Sequence, residues 1–156
     1  MHSMTMLMGL PSSGKSTWVD THPPLPVVSS DNHLEEMAIR MKSTYSQLFD
    51  ANIKWATKQM NDDLDTYIKE GLDFYWDQTN LTVKTRTNKL KNIPDIYVKT
   101  VIWLDPPWGV VADRVAKRIM DVNGRVIPLS VVEGMAEALQ PPTLEEGWDV
   151  IARVQM

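Results

Sequence analysis

The sequence contains no cysteine, which excludes disulfides, thiol nucleophiles and thiolate metal sites. No stretch approaches the ~18 consecutive apolar residues of a membrane span, and the first residues lack a basic region followed by a long apolar run. The expectation is a soluble, cytoplasmic protein. Internal repeats, low-complexity tracts, clusters of metal-ligating residues and catalytic-triad spacings are also missing, so the chemistry must rest on some other kind of site. At 156 residues, 43% of them apolar, the chain is expected to form a single domain over 1–156, with one core and no room for a second catalytic domain.

The formal net charge is −4, which argues against non-specific nucleic-acid binding. Its distribution is uneven. Residues 20–77 hold five cations against eleven carboxylates, residues 78–125 nine against four, and residues 126–156 one against five. A basic block in an acidic chain admits two readings, solvated helix faces or a surface that meets a phosphate-rich ligand.

What the sequence does contain is Gly9-Leu10-Pro11-Ser12-Ser13-Gly14-Lys15-Ser16-Thr17, which fits the phosphate-binding pattern G-x-x-x-x-G-K-[ST]. The apolar run Met4 to Met8 before it reads as a strand, and Gly14 to Thr21 opens a helix. In that setting backbone N–H groups and the helix N-terminus face a phosphate, and the two glycines permit the tight wrap. Gly9, Pro11, Ser12, Ser13, Gly14 and Thr17 are expected to cradle a nucleoside triphosphate. Lys15 would reach its β- and γ-phosphates, and the Ser16 hydroxyl would bind a bridging Mg²⁺ ion.

Beyond the stiff Pro23-Pro24-Leu25-Pro26 connection, Val27-Val28 reads as a short strand ending at Ser29-Ser30-Asp31. Asp31 is either the cap of a helix over His33 to Met41 or a general base that takes the proton of an acceptor hydroxyl. Apolar residues from Tyr45 through Phe49 to Ile68 fall three and four apart, which predicts one long helix with a core-facing stripe over Tyr45 to Glu70. Trp55 lies off that stripe, placed to pack on a neighbouring loop or to stack on a base. Gly71 ends the helix, and Leu72 to Trp76 predicts a third strand closing on Asp77-Gln78-Thr79-Asn80. Asp77 is a candidate to hold the metal through water or to orient the acceptor. Thr79 and Asn80 are candidate substrate contacts or the cap of a helix over Val83 to Asn92, whose Lys84, Arg86, Lys89 and Lys91 supply half of the basic block.

A fourth strand, Tyr97 to Leu104, stops at Asp105-Pro106-Pro107. In the helix that follows, Val111, Val115 and Ile119 face inward while Arg114 and Arg118 share another face. A loop bearing Arg125 leads to a helix over Ser130 to Leu139, and Trp148 to Val154 makes a fifth strand. The two helices and their loop, about 114–130, read as a lid whose arginines either close on the triphosphate and exclude water or are surface helix arginines without catalytic duty.

The loop through Trp18, the Asp31 strand end, Thr79-Asn80-Leu81, Leu104-Asp105-Pro106-Pro107-Trp108, the Arg114 and Arg118 pair, and Val126-Ile127-Pro128 with Val131, Val132 and Met135 together resemble the small P-loop kinases. Among these the chain is most similar to the kinase domain of bacteriophage polynucleotide 5′-hydroxyl kinases. The resemblance implies an α/β, three-layer P-loop NTPase fold with a five-stranded parallel sheet, the phosphate-loop strand at its centre and a helical lid. It implies ATP and Mg²⁺, Asp31 as base, Lys15 and Arg118 as stabilisers of the transferred group, and nucleic acid, DNA before RNA, as acceptor in a host cytoplasm. The phage enzymes carry arginine three residues after the base, where this chain has Leu34. That departure suits phage relatives that phosphorylate hydroxymethyluracil within DNA. A small-metabolite kinase acting on a nucleoside or sugar, and an ATP-dependent binding or switch protein, complete the alternatives.

Overall fold

Side chains alternate along β1 (His2–Met8) so that Met4, Met6 and Met8 enter one core cluster and Leu7 enters another. Burial on both faces is what a parallel strand covered by helices requires. In the computed structural model, which describes residues 2–119 and 126–155, β1 is indeed central. It pairs with β3 (Phe74–Asp77) on one side and β4 (Tyr97–Leu104) on the other. β2 (Val27–Val28) lies outside β3, and β5 (Val150–Val154) outside β4. The order is β2-β3-β1-β4-β5, with every pairing parallel. This is the α/β P-loop NTPase architecture expected from the sequence.

The helices are α1 (Lys15–Asp20), α2 (Ser30–Arg40), α3 (Tyr45–Lys69), α4 (Val83–Leu90), α5 (Trp108–Ile119) and α6 (Leu129–Ala138), with a 3₁₀ turn at Leu144–Glu146. Met60 and Leu64 of α3 and Leu90 of α4 join the larger cluster with Phe74, Trp76, Tyr97 and Trp103. Trp18 and Val19 of α1 cover the opposite face, against Leu7, Ile102 and Leu104. Among the described residues no helix is long and apolar enough to cross a membrane.

Local chemistry sets the boundaries of α3. Thr44 and Gln47 form a reciprocal capping box at its start. At its end Gly71 adopts φ +67°, its N–H donating to Ile68 and that of Leu72 to Tyr67. That is a Schellman closure. It holds Leu72 to the helix, while the Asp73 carboxylate accepts the Ser3 N–H at 2.8 Å. The third strand therefore begins at Phe74, two residues later than the apolar run suggests.

The basic block is only partly a surface. Arg86 is completely buried, and its Nε donates to Glu146 at 2.7 Å, with the Glu146 side chain 2% exposed. Its Nη1 donates to the Asn80 carbonyl at 3.0 Å and its Nη2 to that of Pro141 at 3.3 Å. One guanidinium thus ties α4, the loop before it and the 3₁₀ turn together. Lys84 and Lys91 remain exposed.

Burial by itself raises the Glu146 carboxyl, but hydrogen bonds from Arg86, the Thr143 N–H and the Trp148 indole, with the Arg86 charge, bring it below its ordinary value. A depressed folded pKa stabilises the fold above the unfolded value of about 4.3 and loses that contribution as pH falls through the folded value. Arg86→Met should strand a buried carboxylate and cost about 3–5 kcal/mol. Urea titration at pH 7 would show this as a lower midpoint, and the deficit relative to wild type should shrink below about pH 4, where the carboxyl protonates. An unchanged midpoint would contradict the assignment.

Candidate active site

β1 leads straight into the glycine-rich loop, and the first glycine is fixed by space. A Cβ on Gly9 would lie 2.4 Å from Ser13 Oγ and 2.8 Å from the Leu104 carbonyl oxygen. No other residue fits without moving backbone. Ser12 and Gly14 take φ values of 67° and 105°, the left-handed turns from which anion-binding nests of backbone N–H groups are built. The Ser13 N–H closes the loop on the Leu10 carbonyl at 3.0 Å. Ser12 Oγ and Ser13 Oγ are both buried with no hydrogen-bond partner, so the loop carries hydroxyls in need of an oxygen-rich ligand. Lys15 Nζ reaches the carbonyls of Gly9 and Leu10 at 3.0 and 2.9 Å. These features fit a polyphosphate.

The two lid helices are built onto that loop. Val111 and Val115 of α5 and Val132 of α6 form a small core that Leu10 of the loop, Ile127 and Leu129 pack against. Arg114 Nη1 donates to the Ser12 carbonyl at 3.1 Å and sits over Gly14. Arg118, one helical turn further along, lines the same cavity. Arg125 and the lid tip, like the side chain of Ile119, lie outside the described residues.

Opposite the lid, Ser29 rather than Asp31 caps α2, its side chain accepting the Asn32 N–H at 3.2 Å. Asp31 stands in the first turn with Oδ1 accepting the Tyr45 hydroxyl at 2.6 Å. Asp77 ends β3 in register with Leu7, and the Gly9 N–H donates to the Thr79 carbonyl at 3.0 Å. One cavity of about 720 Å³ brings together the loop from Pro11 to Thr17 with Asp31, Asp77, Thr79, Arg114 and Arg118.

Two expected contacts do not line it. Gly9 lies beneath the loop as a spacer. Asn80 is a correction to the sequence reading: it is 1% exposed, at φ 52°, with Nδ2 donating to Leu7 O at 2.7 Å and Gln78 O at 3.1 Å. Nor does Asn80 or Thr79 cap α4, a task done by Thr82. Lys89 is a second correction. Instead of facing solvent it donates to Asn80 Oδ1 and, at 2.6 Å, to Gln78 Oε1, and lies 5.1 Å from the centre of the Trp76 ring. Gln78 in turn donates to Ser30 Oγ at 3.2 Å. Lys89 is therefore a half-buried strut between the strand ends and the helix that carries Asp31.

Tyr45, Ser46, Phe49 and Asp50 on the first turns of α3 also line the cavity. The sequence pattern places Tyr45 and Phe49 in a core stripe, yet Phe49 is 37% exposed, and the buried residues of α3 are Leu48, Ala56, Met60 and Leu64. The first turns of this helix extend past the core over the site. Trp55 packs edge-on against His33 of α2, with ring centres 6.1 Å apart.

Sheet order and phosphate loop together are those of the P-loop NTPase fold. The chain belongs to the AAA domain family (AAA_33), whose model matches residues 4–142. Its fold is similar to that of a candidate kinase from Chloroflexus aurantiacus j-10-fl, at 18% identity and a TM-score of 0.74 over 99% of this chain and 85% of that one. A sugar kinase from Janibacter sp. HTCC2649 is 16% identical with a TM-score of 0.63, covering 100% and 85% of the two chains. A gluconokinase from Sinorhizobium meliloti 1021 is 16% identical with a TM-score of 0.59, covering 98% and 82%. The family match is broader than the phage subgroup that the sequence resembles, and the likenesses to solved structures establish the fold.

Burial pushes the Lys89 ammonium down to about 7. With a folded pKa below the unfolded value near 10.4, wild type should gain stability as pH rises from 7 to about 10, relative to a variant without that group. Lys89→Met provides the reference. Thermal melts of the pair should show wild type gaining on the variant across that interval and a constant difference below it; parallel curves throughout would place Lys89 in solvent.

Proposed function

We propose that the chain acts as a kinase that transfers the γ-phosphoryl group of ATP to a hydroxyl on a small molecule. The observation that carries this reading is the cavity itself, where the Asp31 carboxylate shares one wall-to-wall space with the phosphate loop and the lid arginines. ATP supplies the phosphoryl group and Mg²⁺ neutralises charge on its phosphates; Ser16 and Asp77, both on the cavity wall, would hold the ion. Lys15 and the loop amides bind the phosphates. Arg114, anchored to Ser12, and Arg118 stabilise charge that develops on the moving group. Asp31 accepts the proton of the attacking hydroxyl, and the Tyr45 hydroxyl on its other side fixes the carboxylate's orientation. The lid helices keep water away, which favours transfer over hydrolysis.

A polynucleotide acceptor, implied by the resemblance to the phage kinases and compatible with the basic block, loses much of its support in α4. Arg86 is spent on Glu146 and Lys89 on Gln78 and Asn80. A polymer would call for exposed cations leading away from the site. The solved structures of similar fold include a sugar kinase and a gluconokinase, which supports an acceptor of metabolite size.

Asp31→Asn should lower kcat by about 10²–10⁴ with little change in ATP affinity. Transfer of labelled γ-phosphate to a panel of small alcohols, nucleosides and 5′-hydroxyl oligonucleotides checks both points. Label on small hydroxyl compounds, lost in Asp31→Asn, is the expected result. Label confined to oligonucleotide ends would return the acceptor to nucleic acid, and full turnover by Asp31→Asn would remove the base.

A further inference from the structure

Lys89 fixes two side-chain amides, and only one of them is used up inside the protein. An indole N–H and an ammonium can donate but never accept. Trp76 Nε1 donates to Gln78 Oε1 at 3.2 Å, and Lys89 Nζ donates to the same oxygen at 2.6 Å. These two donors decide which end of the Gln78 amide is oxygen. The nitrogen end is thereby turned to Ser30 Oγ, at 3.2 Å, in the residue before Asp31. Lys89 holds Asn80 Oδ1 in the same way. There, Nδ2 donates to the carbonyls of both Leu7 and Gln78, which spends its two hydrogens and closes Asn80 within the frame below the site.

Gln78 differs. Its Nε2 also carries two hydrogens, yet among the described residues it bonds only Ser30 Oγ. The residue is half-buried and lines the cavity together with Asp31, whereas neither Asn80 nor Lys89 lines it. A partly desolvated amide N–H on a cavity wall is completed by an oxygen of the ligand. Its tie to Ser30 sets it beside the base, at the start of α2. The reacting hydroxyl itself is a poor partner. That oxygen gives its proton to Asp31 and an electron pair to phosphorus, and a hydrogen bond donated to it would draw away the electrons that attack.

We infer that the acceptor carries a second oxygen next to its reacting hydroxyl, and that the Gln78 amide, held by Lys89 and Trp76, donates to that second oxygen. The inference names the substrate class of the proposed kinase, a diol or a hydroxy-carbonyl compound, and rests on reading Asp31 as its base. Gln78 is then a substrate-binding residue. Lys89, which acts through Gln78, is a positioning residue.

The test is binding, which needs no turnover. 2-Phenylethanol, 1-phenyl-1,2-ethanediol and 2-hydroxyacetophenone share one skeleton and one terminal hydroxyl. On the carbon next to it they carry no oxygen, a hydroxyl and a carbonyl, respectively. Titrated by NMR into isotope-labelled protein with Mg·ADP present, the diol and the ketone should bind about tenfold or more tightly than 2-phenylethanol. Both should also shift the Gln78 side-chain amide signal, identified by its loss in Gln78→Glu. A carboxylate at position 78 still accepts from Lys89 and Trp76, but on the ligand side only a hydroxyl can donate to it. Gln78→Glu should therefore keep the advantage of the diol and lose that of the ketone, and Gln78→Met should lose both. Lys89→Met should narrow both advantages about threefold in the wild-type background and change neither in Gln78→Met, which a general effect on the fold would not do. Equal affinities for the three compounds, a ketone advantage that survives Gln78→Glu or Gln78→Met, or no binding by any of them would overturn the inference. If no hydroxyl compound takes label from ATP while this pattern holds, the kinase reading falls and the Gln78 donor stands. If label transfer proceeds and the pattern is absent, the inference falls alone.

Discussion

The passage of the chain at Gly9, between the Ser13 hydroxyl and the Leu104 carbonyl, governs everything built around it. The 2.4 and 2.8 Å that separate a hypothetical Cβ from those atoms leave space for hydrogen alone. Because β1 can exit there, the loop can curl at once through left-handed Ser12 and Gly14. Lys15 then begins α1 directly above the strand. The same crowding binds the loop to its neighbours: Leu104 ends β4, Thr79 follows β3, and both meet the backbone at Gly9. Parallel topology delivers all of these strand ends to one edge of the sheet, where open α/β folds hold their ligands.

A second layer of constraint lies below the site rather than in it. Asn80 reaches Leu7 from one side, Lys89 and Arg86 secure Asn80 through its side chain and its carbonyl, and Glu146 balances Arg86. Of two cations that would be expected on a surface, Arg86 is thereby placed inside and Lys89 is half-buried. Their burial is costly unless every donor is used, and the Arg86 donors reach Glu146, Asn80, Pro141 and the Met8 sulfur. Lys89 remains the weakly compensated member, which is why its ammonium is the group pushed down. This polar frame holds the ends of β1 and β3 in fixed relation, and so holds the phosphate loop against Asp77 and Thr79.

Much of this was legible in the chain. The phosphate loop, its flanking strand and helix, β2, β4 and the two lid helices follow from apolar runs, prolines and capping residues, signals that act over a few positions. Asp31, Asp77, Arg114 and Arg118 were recognisable because strand ends and a shared helix face put them on one edge. Tyr45 and Phe49 were not, since a helical stripe looks the same whether it meets a core or overhangs a cavity; only the length of α3 relative to the sheet decides that. In the sequence Arg86, Lys89 and Asn80 look like surface or substrate contacts for a related reason. Burial of a charge depends on a distant partner, and Glu146 lies 60 residues from Arg86.

The site reading depends most directly on triphosphate binding through the loop. Calorimetric titration of Mg·ATP into wild type and Lys15→Ala protein tests it, since loss of charge-assisted contacts of about 1.5–3 kcal/mol corresponds to roughly 10- to 100-fold in affinity. Saturable, one-to-one binding that weakens by that factor in Lys15→Ala is the predicted result. Equal affinity in the two proteins, or no binding by wild type, would contradict the account.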